Sequence, residues 1–175
     1  MSAWDEVADL YGAGASPFAG FAGRLVDHAR VRPGERVLDL YAGAGLFAAL
    51  LAEAVGAGGE VAGVEMSAQA VADAEANLAD LPQARVIRAR VTPEVVSDAD
   101  VVVLDPPRSG AGRDVMTAVA TRARRAVGYV ACDPATLARD LRVAVEAGWR
   151  LAALRAFDAF PMTQHVECVA VLSRG

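Results

Sequence analysis

The sequence contains no lysine and only two cysteines, Cys132 and Cys168. Two cysteines cannot build a disulfide framework or a four-cysteine metal site. No apolar run approaches the roughly 18 residues that a membrane-spanning helix requires, and the first residues lack the basic start of a signal peptide. These absences predict a cytoplasmic protein with no membrane segment and no metal ion.

The charge balance is acidic, with 22 Asp and Glu against 17 Arg and a formal net charge of −5. A stand-alone nucleic-acid binder needs a basic surface that neutralises phosphates, so this composition argues against one. The arginines are scattered, and Arg122, Arg124 and Arg125 are expected on the solvated face of one helix. A chain of 175 residues can bury a core without disulfides. We expect one domain over 1–175, with a lead-in loop and helix at 1–31 and the core at 32–175.

Short apolar runs alternate with amphipathic stretches, which is typical of a parallel sheet with crossover helices. The predicted strands are Val37–Tyr41, Glu60–Met66, Arg85–Arg90, Ala99–Asp105, Val127–Cys132, Trp149–Phe157 and Glu167–Ser173. The predicted helices are Phe18–Ala29, Phe47–Val55, Ala68–Leu78, Arg113–Arg125 and Pro134–Ala147. The last two strands are too close in sequence for a parallel crossover. The pattern therefore predicts an α/β, Rossmann-like fold with a seven-stranded, mostly parallel sheet and an antiparallel last strand.

A glycine-rich turn follows the first strand, in the segment Asp39-Leu-Tyr-Ala-Gly43-Ala-Gly45, and opens a helix. Such a turn lets the backbone approach a nucleotide. Glu65 ends the next strand, where a carboxylate can accept both ribose hydroxyls. The pattern Gly43-x-Gly45-x-x-Ala48 also fits a nicotinamide dinucleotide or a tight turn without a ligand. Asp39 favours S-adenosylmethionine, because that cofactor has a cationic amino-acid end and no pyrophosphate.

The fourth and fifth strands end in Asp105-Pro-Pro-Arg108 and Cys132-Asp-Pro. Ligands of open α/β sheets bind beyond such carboxyl ends. The two prolines enforce an extended path that holds Asp105 and Arg108 over the cleft. An aromatic residue after the prolines would indicate amine methylation, and Arg108 weakens that alternative.

Cys132 precedes a helix, whose amide dipoles favour a thiolate. Cys168 lies in an apolar strand, where it is expected to serve packing. His165 and Glu167 share one face at a strand start, although a carboxylate there is also compatible with simple solvation. A thiolate and a carboxylate are the minimum for methylating carbon 5 of uracil, since the thiolate activates the ring by adding to carbon 6 and a base then removes the carbon 5 proton.

The sequence resembles the S-adenosylmethionine-dependent RNA uracil-5-methyltransferases, which form 5-methyluridine in tRNA and ribosomal RNA. The resemblance covers about Pro33 to Leu172 and rests on five stretches: Val37-Leu-Asp-Leu-Tyr-Ala-Gly-Ala-Gly-Leu-Phe47, Gly63-Val-Glu65, Val103-Leu-Asp-Pro-Pro-Arg-Ser-Gly110, Tyr129-Val-Ala-Cys-Asp-Pro-Ala-Thr-Leu-Ala-Arg-Asp140 and His165-Val-Glu-Cys-Val169. It implies a class I methyltransferase domain acting on RNA.

The resemblance also implies roles for individual residues. Cys132 would be the nucleophile and Glu167 the base. Tyr41 and Glu65 would hold the cofactor with Asp39, Gly43 and Gly45. Asp105 would lie between cofactor and uracil, with Arg108 and His165 on the substrate side.

The sequence departs from the family in two places. Family members carry a long N-terminal RNA-binding region, often with an iron–sulfur cluster, and we expect neither here because residues 1–31 instead resemble the lead-in helix of small-molecule methyltransferases. Asp133 replaces the Asn that often follows the nucleophile, and its negative charge disfavours a thiolate. Two alternatives therefore stay open: an isolated, recombined or designed cofactor-binding core without RNA methylation, and a small-molecule methyltransferase.

Overall fold

The computed structural model describes residues 25–157 and 166–174, and residues 25–29 are helical. The strands are β1 (Arg36–Leu40), β2 (Glu60–Glu65), β3 (Ala84–Arg88), β4 (Ala99–Leu104), β5 (Ala123–Ala131), β6 (Arg150–Phe157) and β7 (Glu167–Ser173). The helices are α1 (Leu46–Val55), α2 (Ala68–Asn77), α3 (Arg113–Arg122) and α4 (Pro134–Glu146), with a 3-10 turn at Pro93–Val95.

The seven strands form one sheet in the order β3-β2-β1-β4-β5-β7-β6. All neighbouring strands are parallel except at β7, which runs antiparallel to both β5 and β6. The predicted seven-stranded sheet with an antiparallel last strand is therefore confirmed. The chain builds outward from β1 to β3 and then returns to β4 on the other side of β1. This reversal opens a crevice beyond the carboxyl ends of β1 and β4, where ligands of such sheets bind.

Both faces of the sheet are covered, and its central strands are accordingly rich in buried apolar residues. In β4, Val101 and Val103 belong to the core that packs against α1, whereas Val102 and Leu104 belong to the core that packs against α3 and α4. We call these two surfaces the α1 face and the α3/α4 face. Successive side chains along a strand point alternately to these two faces, so residues two positions apart lie on the same face.

The predicted helix Arg113–Arg125 is wrong at its end, because α3 stops at Arg122 and β5 begins at Ala123. Backbone pairing of Ala123 with Ala99 on β4 extends the strand by four residues before Val127, where it was expected to start. Arg125 is consequently not on a solvated helix face. Its guanidinium makes two hydrogen bonds to the Glu35 carboxylate, at 2.6 and 2.7 Å, and a third to the carbonyl of Ala29 at 2.9 Å.

Two other predicted boundaries need comment. Tyr41 was expected to end the first strand, but its φ of +66° takes it out of the strand and into the turn. Its amide and that of Ala42 both donate to the carbonyl of Val64 at 3.0 Å. The predicted Phe18–Ala29 helix lies mostly outside the described residues. No helix within residues 25–157 and 166–174 is long and apolar enough to cross a membrane.

Candidate active site

The turn between β1 and α1 uses its two glycines for different purposes. Gly43 has φ +53°, and a side chain added there would meet nothing within 4 Å. Gly45 has φ +88°, and an added Cβ would lie 3.2 Å from the Cβ of Ala74 on α2. Gly43 therefore leaves backbone open to a ligand, whereas Gly45 permits close packing of the turn on α2.

Glu65 connects the end of β2 to this turn. Its Oε2 accepts a hydrogen bond from the Gly43 amide at 3.0 Å, and its Oε1 accepts one from the Ser67 amide at 2.7 Å. A carboxylate can accept about four hydrogen bonds, so each oxygen keeps a position for a further donor. Glu65 is thus oriented by the backbone and still able to bind the two hydroxyls of a ribose.

Asp39 is fully buried beside the turn, and neither of its carboxylate oxygens completes a hydrogen bond with a described residue. Burial, then the negative charge of Asp105, raises the pKa of Asp39 to about 8, while the amide of Ala48 partly offsets this effect. An unpartnered buried acid is costly unless it meets a cation or a donor. With the open Gly43 backbone and Glu65, it fits the cationic amino-acid end and ribose of S-adenosylmethionine.

Asp105 follows β4 directly, and its amide donates to the carbonyl of Leu40 at 3.2 Å, which holds it beside the end of β1. The residue as a whole is solvent-exposed. Desolvation of its carboxyl group by the protein atoms around it, followed by the negative charge of Glu167, raises the pKa of Asp105 to about 6. Glu167, at the start of β7, therefore lies within electrostatic reach of Asp105.

The β5–β7 pairing brings Cys132 and Glu167 together. Ala131 pairs with Cys168, so continuing the antiparallel register by one residue places Cys132 opposite Glu167. Directly opposed residues of such a pair project to the same side of the sheet. Both side chains are half-buried. Cys168 is buried in the core on the α3/α4 face, as expected for a packing residue.

The alternation of the strands assigns the chemically important side chains to one face. On each of β1, β4, β5 and β7, the residue two positions away from the site residue belongs to the core of the α1 face. These residues are Val37, Val103, Val130 and Val169. The residues that continue this alternation at the carboxyl edge are Asp39, Asp105, Cys132 and Glu167. They come from four neighbouring strands, and the glycine turn opens beside them. The predicted catalytic and cofactor residues therefore converge on one edge of the sheet.

Asp133 has a structural role that its sequence position did not reveal. Its carboxylate accepts the Thr136 amide at 2.8 Å and so caps the start of α4. This hydrogen bond, together with smaller effects that include the positive charge of Arg108, lowers the pKa of Asp133. Arg108 thus lies within electrostatic reach of the residue next to Cys132. His165, predicted on the substrate side, lies outside the described residues.

Sequence reasoning assigned no role to Asp140, whose side chain is fully buried on α4. The signal was present: Asp140 lies on the same helix face as Leu137, Leu141 and Ala144, where an acid is out of place unless it is hydrogen-bonded. An open depression of about 460 Å³ beside Glu60 and Arg85 lies near the amino-terminal end of β2. It is therefore remote from the site residues at the carboxyl ends of the parallel strands.

Comparison with known proteins gives the class of the fold and of its cofactor. The crystal structure of the Pyrococcus abyssi tRNA (uracil-54, C5)-methyltransferase, in complex with S-adenosyl-L-homocysteine, superposes with a TM-score of 0.72 at 32% identity, covering 88% of this chain and 38% of that one. Together with the sheet order and the glycine turn, this defines a class I methyltransferase domain whose cofactor is S-adenosyl-L-methionine. A nicotinamide cofactor finds no support in these comparisons.

Residues 22–129 match the family model of the methyltransferase small domain, and the chain belongs to that family. Residues 95–175 match the model of the tRNA (uracil-5-)-methyltransferases. The chain is 48% identical over 145 residues to an uncharacterized RNA methyltransferase of Streptomyces coelicolor, covering 81% of this chain and 32% of that protein. It is 38% identical over 153 residues to the 23S rRNA (uracil(1939)-C(5))-methyltransferase of Acinetobacter baumannii, covering 83% and 33%.

The resemblance to the RNA uracil-5-methyltransferases is thereby confirmed. The chain spans about a third of the length of the curated relatives that it matches. These relatives do not favour the two alternatives of a core without RNA methylation or a small-molecule methyltransferase. Among residues 25–157 and 166–174, no group of three or more His, Cys, Asp or Glu side chains is arranged to hold a metal ion.

Proposed function

We propose that this domain transfers a methyl group from S-adenosylmethionine to carbon 5 of a uracil in RNA through a transient covalent bond to Cys132. The observation that carries the proposal is the β5–β7 register, whose last pair, Ala131 and Cys168, makes Cys132 and Glu167 the next residues on the two strands. They continue the same face of the sheet as Asp39 and Asp105. Two of the relatives reported above are named as methyltransferases of uracil carbon 5, one in tRNA and one in 23S rRNA.

S-adenosylmethionine supplies an electrophilic methyl group on a sulfonium. Carbon 5 of uracil is too weak a nucleophile to take it unaided. The Cys132 thiolate adds to carbon 6, and the electron pair of the carbon 5–carbon 6 double bond moves into the ring as an enolate. Carbon 5 would then form a bond to the methyl group as the bond between that methyl and the sulfonium sulfur breaks, with its electron pair remaining on the sulfur.

In the second half of the reaction, Glu167 accepts the proton of carbon 5. The electron pair of that bond re-forms the double bond, and the Cys132 sulfur leaves as a thiolate. The products are 5-methyluracil, S-adenosylhomocysteine and one proton held by Glu167. Removal of the proton and departure of the thiolate restore the enzyme without any further reactant.

The remaining side chains bind and orient. Glu65 and the open Gly43 backbone would hold the ribose and the adjoining part of the cofactor, and Asp39 its cationic end. Asp105 is hydrogen-bonded to the end of β1 and lies within electrostatic reach of Glu167, and it would contact both cofactor and uracil. Arg108, close to Asp133, supplies positive charge on the substrate side, and His165 is assigned to the same side by resemblance to the family.

The test is intact-mass analysis after incubation with S-adenosylmethionine and RNA containing 5-fluorouridine. Fluorine cannot leave carbon 5 as a proton does, so Glu167 has nothing to remove and the adduct persists. A tRNA and a 23S rRNA fragment, taken from the relatives' substrates, serve as the two RNAs. The expected mass is that of protein, RNA and one methyl group.

The two cysteines provide a matched pair of variants. Cys132→Ala should abolish the adduct, whereas Cys168→Ala, which replaces a buried thiol on the opposite face, should retain it. An adduct that survives in Cys132→Ala, or its absence from folded wild-type protein with both RNAs, contradicts the covalent mechanism. In the latter case the domain binds the cofactor without acting on uracil.

A further inference from the structure

Asp140 accepts five hydrogen bonds although its side chain is fully buried. Its Oδ2 accepts from the Tyr129 hydroxyl at 2.6 Å and from the amides of Ala111 and Gly112 at 2.8 and 3.2 Å. Its Oδ1 accepts from Nε and Nη2 of Arg139 at 3.0 and 2.9 Å. A buried carboxylate with this many donors is a rigid attachment point.

The donors belong to three separate segments. Tyr129 lies on β5, three positions before Cys132, and Asp140 lies on the helix that starts after it. Ala111 and Gly112 end the loop that begins at Asp105. The network therefore joins the chain on both sides of Cys132 to the far end of the Asp105 loop.

The loop of residues 105–112 is fixed at several points. At its start the Asp105 amide donates to the carbonyl of Leu40 at 3.2 Å, and in its middle the Gly110 amide donates to the carbonyl of Pro107 at 2.8 Å, which closes a turn around Arg108. Arg139 also donates from Nη2 to the carbonyl of Ser109 at 2.7 Å.

Gly110 shows how tightly the loop and the network fit. A Cβ at this position would come within 2.5 Å of both Arg139 Nη2 and Asp140 Oδ2, so only glycine permits this approach. Asp140 and Arg139 thus contact the loop along residues 109–112, immediately after the turn that carries Arg108.

The Asp140 network and the site residues lie on different faces of the sheet. Tyr129 belongs to the core of the α3/α4 face, whereas Cys132 and Asp105 continue the α1 face. None of the five hydrogen bonds of Asp140 goes to Asp39, Glu65, Asp105, Cys132 or Glu167. They lead toward the site through residues 109–112 and through Tyr129, and the charge of Asp140 also reaches Tyr41. Burial and the hydrogen bond to Asp140 raise the pKa of Tyr129, so its hydroxyl stays protonated and remains a donor.

We infer that Asp140 is a positioning residue of the methyl-transfer site: by anchoring residues 109–112 it sets the place of Arg108 and Asp105 relative to Cys132. The inference deepens the proposed function and rests on it. Misplacing a reactive group by about 1 Å can cost around 100-fold in rate. We therefore expect Asp140→Asn to lower kcat for uracil methylation by about 100-fold.

The same variant should leave the Kd for S-adenosylmethionine within about twofold, because none of the hydrogen bonds of Asp140 involves Asp39, Tyr41, Gly43 or Glu65. It should also accelerate amide hydrogen exchange within residues 105–112. Tyr129→Phe removes one donor and keeps the carboxylate, so it should give a smaller loss, about tenfold in kcat, with exchange changed in the same segment.

The matched control is Glu35→Gln. It breaks the ion pair with Arg125, which is also partly buried and also joins distant parts of the chain, but at the opposite edge of the sheet. This variant should lower the unfolding temperature while kcat stays unchanged. Comparing kcat with thermal stability across the three variants separates positioning from a general loss of structure.

Wild-type kcat in Asp140→Asn, or a loss of kcat accompanied by an equal loss of cofactor binding, overturns the inference. If Asp140→Asn does not fold, Tyr129→Phe decides, and unchanged kcat with unchanged exchange at residues 105–112 overturns it. If wild-type protein forms neither 5-methyluridine nor the fluorouridine adduct, the proposed function fails. Amide hydrogen exchange in Asp140→Asn then tests the anchoring independently of activity. Faster exchange confined to residues 105–112 supports the anchoring, and unchanged exchange refutes it.

Discussion

Replacing Asp39 with asparagine should make the protein more stable at high pH. It should also remove most of the contribution of Asp39 to the pH dependence of the free energy of unfolding. Asp39 is fully buried and its oxygens complete no hydrogen bond with a described residue. Its facing charges are the carboxylates of Asp105 and Glu65, which also oppose ionisation. An amide of the same shape has no charge to desolvate, so it avoids the cost that the carboxylate incurs.

The magnitude follows from the two pKa values of Asp39, 3.8 as the ordinary value and about 8 in the folded protein. Because the pKa of Asp39 is higher in the folded protein than in the unfolded chain, the contribution of Asp39 to folding stability is greatest below about pH 4. This contribution is lost as pH rises to about 8. The loss is about 1.4 kcal/mol per pH unit, on the order of 6 kcal/mol in total. The stability difference between Asp39→Asn and wild type should therefore grow by about 4 kcal/mol between pH 5 and pH 8.

Urea unfolding at pH 5, 6.5 and 8 measures this difference, and subtracting the two proteins cancels the contributions of titrating groups that do not interact with Asp39. Asp80→Asn, a change of the same type at an exposed position, is the control and should leave the difference from wild type constant with pH. A constant difference in Asp39→Asn as well would show that Asp39 ionises in the folded state as easily as in the unfolded chain. The reasoning from burial would then be refuted.

Three further predictions concern the site. Glu167→Gln should still form the covalent bond but lose about 100-fold to 10,000-fold in turnover, so the adduct should accumulate on ordinary uridine RNA in denaturing gels; normal turnover would exclude Glu167 as the base. Glu65→Gln should weaken cofactor binding about tenfold to 100-fold in calorimetry, because an amide cannot accept from both backbone donors; an unchanged Kd would remove Glu65 from the cofactor site. Gly45→Ala, whose Cβ would lie 3.2 Å from Ala74, should lower the free energy of unfolding by about 2 kcal/mol. Gly43→Ala should lower it by only about 1 kcal/mol but should weaken cofactor binding more. The reverse order of stabilities in urea titrations would contradict the separate roles of the two glycines.

Local sequence determined the elements of this fold and the identity of most candidate site residues. Apolar runs of strand length separated by amphipathic stretches specify strands and helices because each must bury one face or two. The glycine turn was recognisable because it follows an apolar strand and opens a helix, and its positive φ values need no tertiary contact. Asp105 and Cys132 were identifiable because a polar residue directly after a buried strand lies at a sheet edge.

Tertiary structure decided which of these residues meet. The opposition of Cys132 and Glu167 depends on the β5–β7 register, a pairing between segments distant in sequence that local propensity does not specify. The extension of β5 through Arg125 likewise depends on pairing with β4 and on the ion pair to Glu35. Sequence reasoning assigned no role to Asp140, because its donors come from β5 and the Asp105 loop, and a buried carboxylate is stabilised only by partners that folding brings to it.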